Sequence, residues 1–192
     1  MAAWPLGARL QEPRPLIAIL LPGRHDSDTL KNGLEPFKQA LARHGWEPGR
    51  NMDIVERLAE GDASRLPVLA AELVSLKPRV LFTTTSHAAT VAAEATRTIP
   101  IVVGPAGGER LEALAGGSIA RPTTNVTGFV LSTPENEDKC ITLLMEAVPS
   151  ANRIGVLVNP DNPGQRDYSD PVWNRGVSRR TGEALEARAR VG

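Results

Sequence analysis

The chain has 192 residues, 41% hydrophobic and 23% charged, enough for a packed core of one domain or one and a half and too apolar for wholesale disorder. Lys plus Arg balance Asp plus Glu at 22 each, which argues against a broad basic face for nucleic acid or an anionic membrane. A single cysteine, Cys140, excludes an internal disulfide and a cysteine-built zinc site; its neighbours Ile141, Leu143 and Leu144 predict a small buried residue.

No apolar run approaches the length of a membrane-spanning helix. The start, MAAWPLGARLQ, reads as the tail of a secretory signal: the end of an apolar region and a small-residue cleavage region, without a basic beginning. Glu12-Pro13-Arg14-Pro15 is a linker, so residues 1–15 stand apart from the first domain. Leu16 to Leu21 is an unbroken apolar run, the pattern of a strand buried on both faces of a parallel sheet. A polar loop over residues 24–28 leads into a helix with Leu30, Leu34, Phe37, Ala40 and Leu41 on one side, which Pro36 can kink or shift. Residues 48–51 form a turn and residues 52–58 an edge-type strand. Asp62 or Ser64 caps the next helix, whose apolar positions are Leu66, Leu69, Ala70, Leu73 and Leu76.

Residues 78–95, PRVLFTTTSHAATVAAEA, are the most informative stretch. A short strand, Val80-Leu81-Phe82, runs through Thr83, Thr84, Thr85 and Ser86 into an Ala-rich helix, with Ser86 as its expected N-cap. Hydroxyls at a helix start on the carboxyl end of a strand suit a carboxylate or phosphate, although capping alone explains them too. A fourth strand over residues 101–103, a loop over 104–108 and a short helix over 109–114 follow. Then come a fifth strand over 126–131 and a helix from Thr133 or Glu135 with Cys140, Leu143, Leu144 and Val148 inward. A sixth strand spans 153–158 and ends in the loop Asn159-Pro160-Asp161-Asn162-Pro163. Beyond it the pattern fades: residues 175–191 read as a weak exposed helix, and no further strand is expected.

Strands alternating with helices predict an α/β fold built on a doubly wound parallel sheet. There is no dinucleotide fingerprint, phosphate-binding lysine loop or nucleophile elbow. The three histidines lack metal-ligand spacing, and His25 with Asp26 and Asp28 reads as a solvated loop. His87 could act as an acid or base but has no evident partner, and Asn125-Val126-Thr127 matches a glycosylation acceptor too short to carry weight. What remains is a set of polar loops at the carboxyl ends of successive strands, which favours binding over catalysis.

The ordered succession LIAILLPG, GLEPFKQALARHGW, EPGRNMDIVERLAEGDASRLPVLAAELVSLKPRVLFTTTSHAA, ATRTIPIVVG, IARPTTNVTGF and RIGVLVNPDNP resembles the ABC-transporter substrate-binding proteins of tryptophan/tyrosine-type systems, over residues 16–163. The resemblance implies a type I periplasmic-binding-protein fold with two α/β lobes that close on a small solute, an amino acid or related carboxylate. Residues 16–128 would form lobe one. Residues 129–163 would cross the hinge and begin an incomplete second lobe, and residues 164–192 are a divergent tail. The ligand would meet Arg24, Ser27, Thr83, Thr84, Thr85, Ser86, Gly104 and Pro105 from lobe one, and Asn159 and Asp161 from lobe two. Where many members carry an acidic residue in a G-x-x-D-P-type stretch, this chain has Gly104-Pro105-Ala106-Gly107.

The resemblance further implies a periplasmic location and permease subunits of the inner membrane as partners, and the incomplete second lobe predicts weak or no closure on ligand. It implies no enzymatic activity, no cofactor, no metal and no nucleic-acid partner. Apolar surface left by the short second lobe would favour self-association. The rival readings are a small flavodoxin-like α/β enzyme using His87 or Asp26, and a ligand-sensing regulatory domain.

Overall fold

The computed structural model describes residues 13–132, 134–150, 156–158 and 184–186. Five parallel strands form the central sheet: β1 (Leu16–Leu21), β2 (Asp53–Leu58), β3 (Val80–Thr83), β4 (Ile101–Gly107) and β5 (Val126–Ser132), in the spatial order β2-β1-β3-β4-β5. The connecting helices are α1 (Asp28–Arg43), α2 (Leu66–Ser75), α3 (Ser86–Ala95) and α4 (Gly108–Leu114), with α5 (Pro134–Ala147) after β5. The chain winds outward from β1 in both directions, since β1 pairs with β2 on one side and β3 on the other. The doubly wound α/β architecture expected from the alternating elements is therefore the observed one.

The sheet is buried unequally. One face, carrying Ala18, Leu20, Leu81, Ile101, Val103 and Val126, packs against Leu66, Leu69, Ala70 and Leu73 of α2 and Ala88, Ala89 and Ala92 of α3. Alanines on the inner side of α3 let that helix lie close to the strands. The other face packs Ile19, Leu21 and Leu58 with Leu34 of α1, and Phe37 of α1 stacks on Phe82 of β3 with ring centroids 4.5 Å apart. Burying a large aliphatic side chain completely contributes about 1.5–3 kcal/mol, so the interior Ile, Leu and Val residues dominate the stability of a protein with few aromatics. Toward β5 the cover on the α1 side gives out: Phe129 is 68% and Leu131 74% exposed.

Several expectations need correction. Of the two readings of Pro36, a kink or a shifted start, the shifted start is the one not observed: Pro36 lies within α1, which begins at Asp28. The segment 104–107 is strand, not loop: β4 continues to Gly107, with register shifts against β5 after Val103 that accommodate Pro105. Cys140, Leu143, Leu144 and Val148 on or just past α5 are exposed, not inward, because no described element covers them. A further strand does follow: β6 (Val156–Val158) pairs in parallel with β7 (Ala184–Glu186), where an exposed helix was expected. Strand pairing outweighs the helix preference of the Ala- and Glu-rich segment there.

Asn125 is a structural residue. Its Nδ2 donates to the carbonyls of Thr96 at 3.1 Å and Ile99 at 2.8 Å, fixing the entry to β5 against the end of α3. Gly128 is required by close approach, for a Cβ there would run into the Val103 carbonyl oxygen and lie 2.9 Å from the Val103 Cβ. Gly128→Ala should therefore part β4 from β5 and lower stability by about 1–3 kcal/mol, read as a fall in midpoint by chemical denaturation. An unchanged midpoint would mean that β5 shifts freely.

Candidate functional site

In a doubly wound sheet the crevice lies at the carboxyl edge where winding reverses, here between β1 and β3. Leu20 is the β1 residue paired with Thr83, so the loop of residues 22–27 after β1 and the pair Thr84-Thr85 after β3 flank this seam. Thr83 in turn pairs with Val103, which brings Gly104 and Pro105 to the next position along the edge. Thus Arg24, Ser27, Thr83, Thr84, Thr85, Ser86, Gly104 and Pro105 all lie at one edge of one sheet. Asn159 and Asp161 fall outside the described residues.

The hydroxyls after β3 divide their roles. Thr85, not Ser86, caps α3: its backbone is extended and its Oγ1 accepts from the Ala88 N–H at 3.2 Å. Both residue types cap well, and the helix starts one residue earlier than a Ser86 cap requires. Ser86 is the first residue of α3, and its carbonyl accepts from Thr90 Oγ1 at 2.9 Å. Thr83 is fully buried, and its Oγ1 has no hydrogen-bond partner. Thr84 is half-buried, and its hydroxyl has no hydrogen-bond partner among the described residues. Donor N–H groups at the start of α3 and the uncommitted Thr84 hydroxyl make this the part of the edge best suited to an anionic or polar ligand group.

Gly104 is buried for a packing reason: a Cβ would lie 3.2 Å from the Phe82 ring and 3.4 Å from the Thr84 methyl. Its lack of a side chain keeps the Phe82 ring on Phe37 and leaves Thr84 its place. Pro105 is exposed. In the loop after β1, Arg24 is paired with Asp26 at 3.1 Å, while the Ser27 hydroxyl donates to the Arg24 carbonyl at 2.9 Å. The guanidinium is thus balanced by its neighbour, whose hydrogen bond holds the Arg24 pKa above its ordinary value.

His87 is half-buried in the first turn of α3. Burial first, and then the Arg110 guanidinium, hold its pKa below the ordinary imidazole value. Arg110 of α4 donates to Thr90 Oγ1 at 3.2 Å. Among the described residues no cluster of His, Cys, Asp or Glu could hold a metal ion.

The sequence marks the turn after β2 at Gly61-Asp62 only as a loop and helix cap, with no role for Glu60. There Glu60 pairs with the ring of His25, joining the ends of β1 and β2. The pairing with His25 is the main reason that the Glu60 pKa lies below the usual carboxylate value. The available signal was a Glu-Gly step at the end of a strand, unusual where Asn-Gly or Asp-Gly is the common turn.

Known proteins resemble this chain in both sequence and fold. The profile of the family described as ABC transporter substrate binding protein matches residues 16–167. A tyrosine-binding protein of Clostridioides difficile is 31% identical over 145 residues, 76% of this chain and 40% of that protein. A crystal structure of a conserved domain protein from Vibrio cholerae superposes with a TM-score of 0.74 at 24% identity, over 92% of this chain and 58% of that one. A Streptococcus pneumonia ABC domain in complex with L-Trp gives a TM-score of 0.73 at 19% identity, over 91% and 58% of the two chains. The chain therefore spans 40% of the length of its curated relative and somewhat over half that of the solved ones.

Thr83→Val replaces an unpartnered buried hydroxyl with a methyl of the same shape. It should raise stability by about 1 kcal/mol in chemical denaturation. A loss of stability would show that the hydroxyl already has a partner within the fold.

Proposed function

Starting from the premise that the chain belongs to the ABC transporter substrate binding protein family, we propose that it supplies lobe one, and the start of lobe two, of a solute receptor for an ABC importer. Its ligand is a small carboxylate, with aromatic amino acids the first class to test. The observation that carries this reading is the convergence of Thr83, Thr84, Thr85 and Ser86 on the reversal point of the sheet, at the start of a helix. The relatives support the ligand class: one is named a tyrosine-binding protein and another was solved with L-Trp.

In this reading the ligand carboxylate lies against the start of α3 and the Thr84 hydroxyl. Arg24 and Ser27 line one side, and Gly104 and Pro105 the other. Asn159 and Asp161 approach from lobe two. Residues 16–128 form the first lobe and 129–163 lead into the second. Contacts from both lobes stabilise the closed state relative to the open one, which is how a bound solute is signalled to a permease. The protein acts outside the cytoplasm, on the periplasmic side of the inner membrane. On this reading it is a binding protein rather than an enzyme, in keeping with the description of its family, and the Asp26 carboxylate is engaged by Arg24. Self-association in this reading uses the exposed apolar residues of β5 and α5.

Titration calorimetry with L-tyrosine, L-tryptophan and the same ring systems bearing a carboxylate without the amino group tests both the class and the site. Saturable binding by at least one is expected. Thr84→Val should weaken it roughly tenfold, the effect of about 1.4 kcal/mol from one hydrogen bond. Binding unaffected by Thr84→Val would place the ligand elsewhere. No binding by any member of the panel would contradict the ligand class.

A further inference from the structure

The backbone after β2 makes an unusual choice. Asp62 N–H donates to the Ala59 carbonyl at 3.1 Å, closing a four-residue turn. The two central residues, Glu60 and Gly61, both have left-handed backbones, with φ of 57° and 84°. That is a type I′ turn, whose first central position is ordinarily Asn, Asp or Gly. A glutamate there is conformationally unfavourable, and such a residue persists only where the surroundings hold it.

What holds it is the loop at the reversal point of the sheet. Ala59 N–H donates to the Leu21 carbonyl at 2.9 Å, Glu60 N–H to Gly23 at 3.1 Å and Gly61 N–H to Pro22 at 2.9 Å. The β1–β2 ladder is thereby continued into the loop. From this turn the Glu60 carboxylate reaches the His25 ring with one oxygen and the His25 backbone N–H, at 3.4 Å, with the other. One side chain thus grips the loop at both its main chain and its side chain.

We propose that Glu60 is a positioning residue of the ligand cleft: from its left-handed turn it clamps the loop of residues 22–27 in the conformation that faces the β3–α3 hydroxyls. The clamp concerns loop order and stands without a ligand; only its bearing on binding rests on the receptor reading above. Its backbone conformation is maintained at the expense of stability, and its carboxylate returns loop order rather than core energy. Glycine at the same position would relax the turn and release the loop, so a merely structural role and a positioning role predict different outcomes.

The test is hydrogen–deuterium exchange of the ligand-free full chain, read on peptides covering residues 22–28, beside the thermal midpoint. Glu60→Gly is expected to leave the midpoint unchanged or raised, yet to speed exchange in those peptides roughly two- to five-fold, the scale of one exposed charged contact. Glu60→Gln keeps the backbone and loses the charge, and should accelerate exchange to a smaller extent. Exchange over 22–28 unchanged in both variants would overturn the proposal. A midpoint that falls in Glu60→Gly would also overturn it, because the carboxylate would then be serving the fold. Neither result depends on which solute the protein binds, so failure here is distinct from failure of the calorimetric titration.

Discussion

The parallel pairing of β1 with both β2 and β3 is the constraint on which the rest depends. Because the chain leaves β1 in one direction and later returns to its other side, the loops after the neighbouring strands β1 and β3 diverge at the carboxyl edge and open a crevice. The register of that pairing, Leu20 against Thr83, determines which residues flank the opening. Slipping it by one residue would turn Leu81 and Thr83 to the α1 side and Phe82 into the alanine-lined face of α3. The burial of Leu81 and the stacking of Phe82 on Phe37 therefore guard the geometry of the site as well as the stability of the core.

Small residues recur around this seam for related reasons. Gly104 yields its space to the Phe82 ring and the Thr84 methyl. The alanines of α3 bring its first turn close to the strand ends. Thr83 retains an unsatisfied hydroxyl in a position where valine would pack as well. A buried polar atom without a partner lowers stability, and such atoms in native proteins tend to mark function. The Glu60 turn has the same character, for a backbone preference is overridden beside the cleft. Two local departures from the most stable choice thus flank the same opening.

Much of this was legible in the residues. Continuous apolar runs at 16–21 and 80–82 read as buried parallel strands because both faces of such strands are covered. The hydroxyl run of residues 83–86 was legible as a helix entry, since few other residues satisfy the first N–H groups of a helix. Which of them caps was not, because Thr85 and Ser86 are near-equivalent and the choice depends on where the strand lets go. Residues 104–107 looked like loop because Gly and Pro dominate; pairing with β5 and the register shifts carry the strand through them. The apolar positions of α5 follow a helical period, but period alone cannot say whether a partner is present, and Leu143 and Leu144 stand exposed. The Glu60–His25 contact links residues 35 apart in sequence, and nothing local announces it.

The edge between β1 and β3 is the proposed ligand-facing half of a solute receptor. Its most direct test is to add a saturating solute that binds in calorimetry and to map where backbone amides slow in hydrogen exchange. Protection concentrated in residues 22–27 and 83–87 is the result expected. Protection confined to the opposite edge of the sheet, or to the exposed apolar residues of β5, would contradict it.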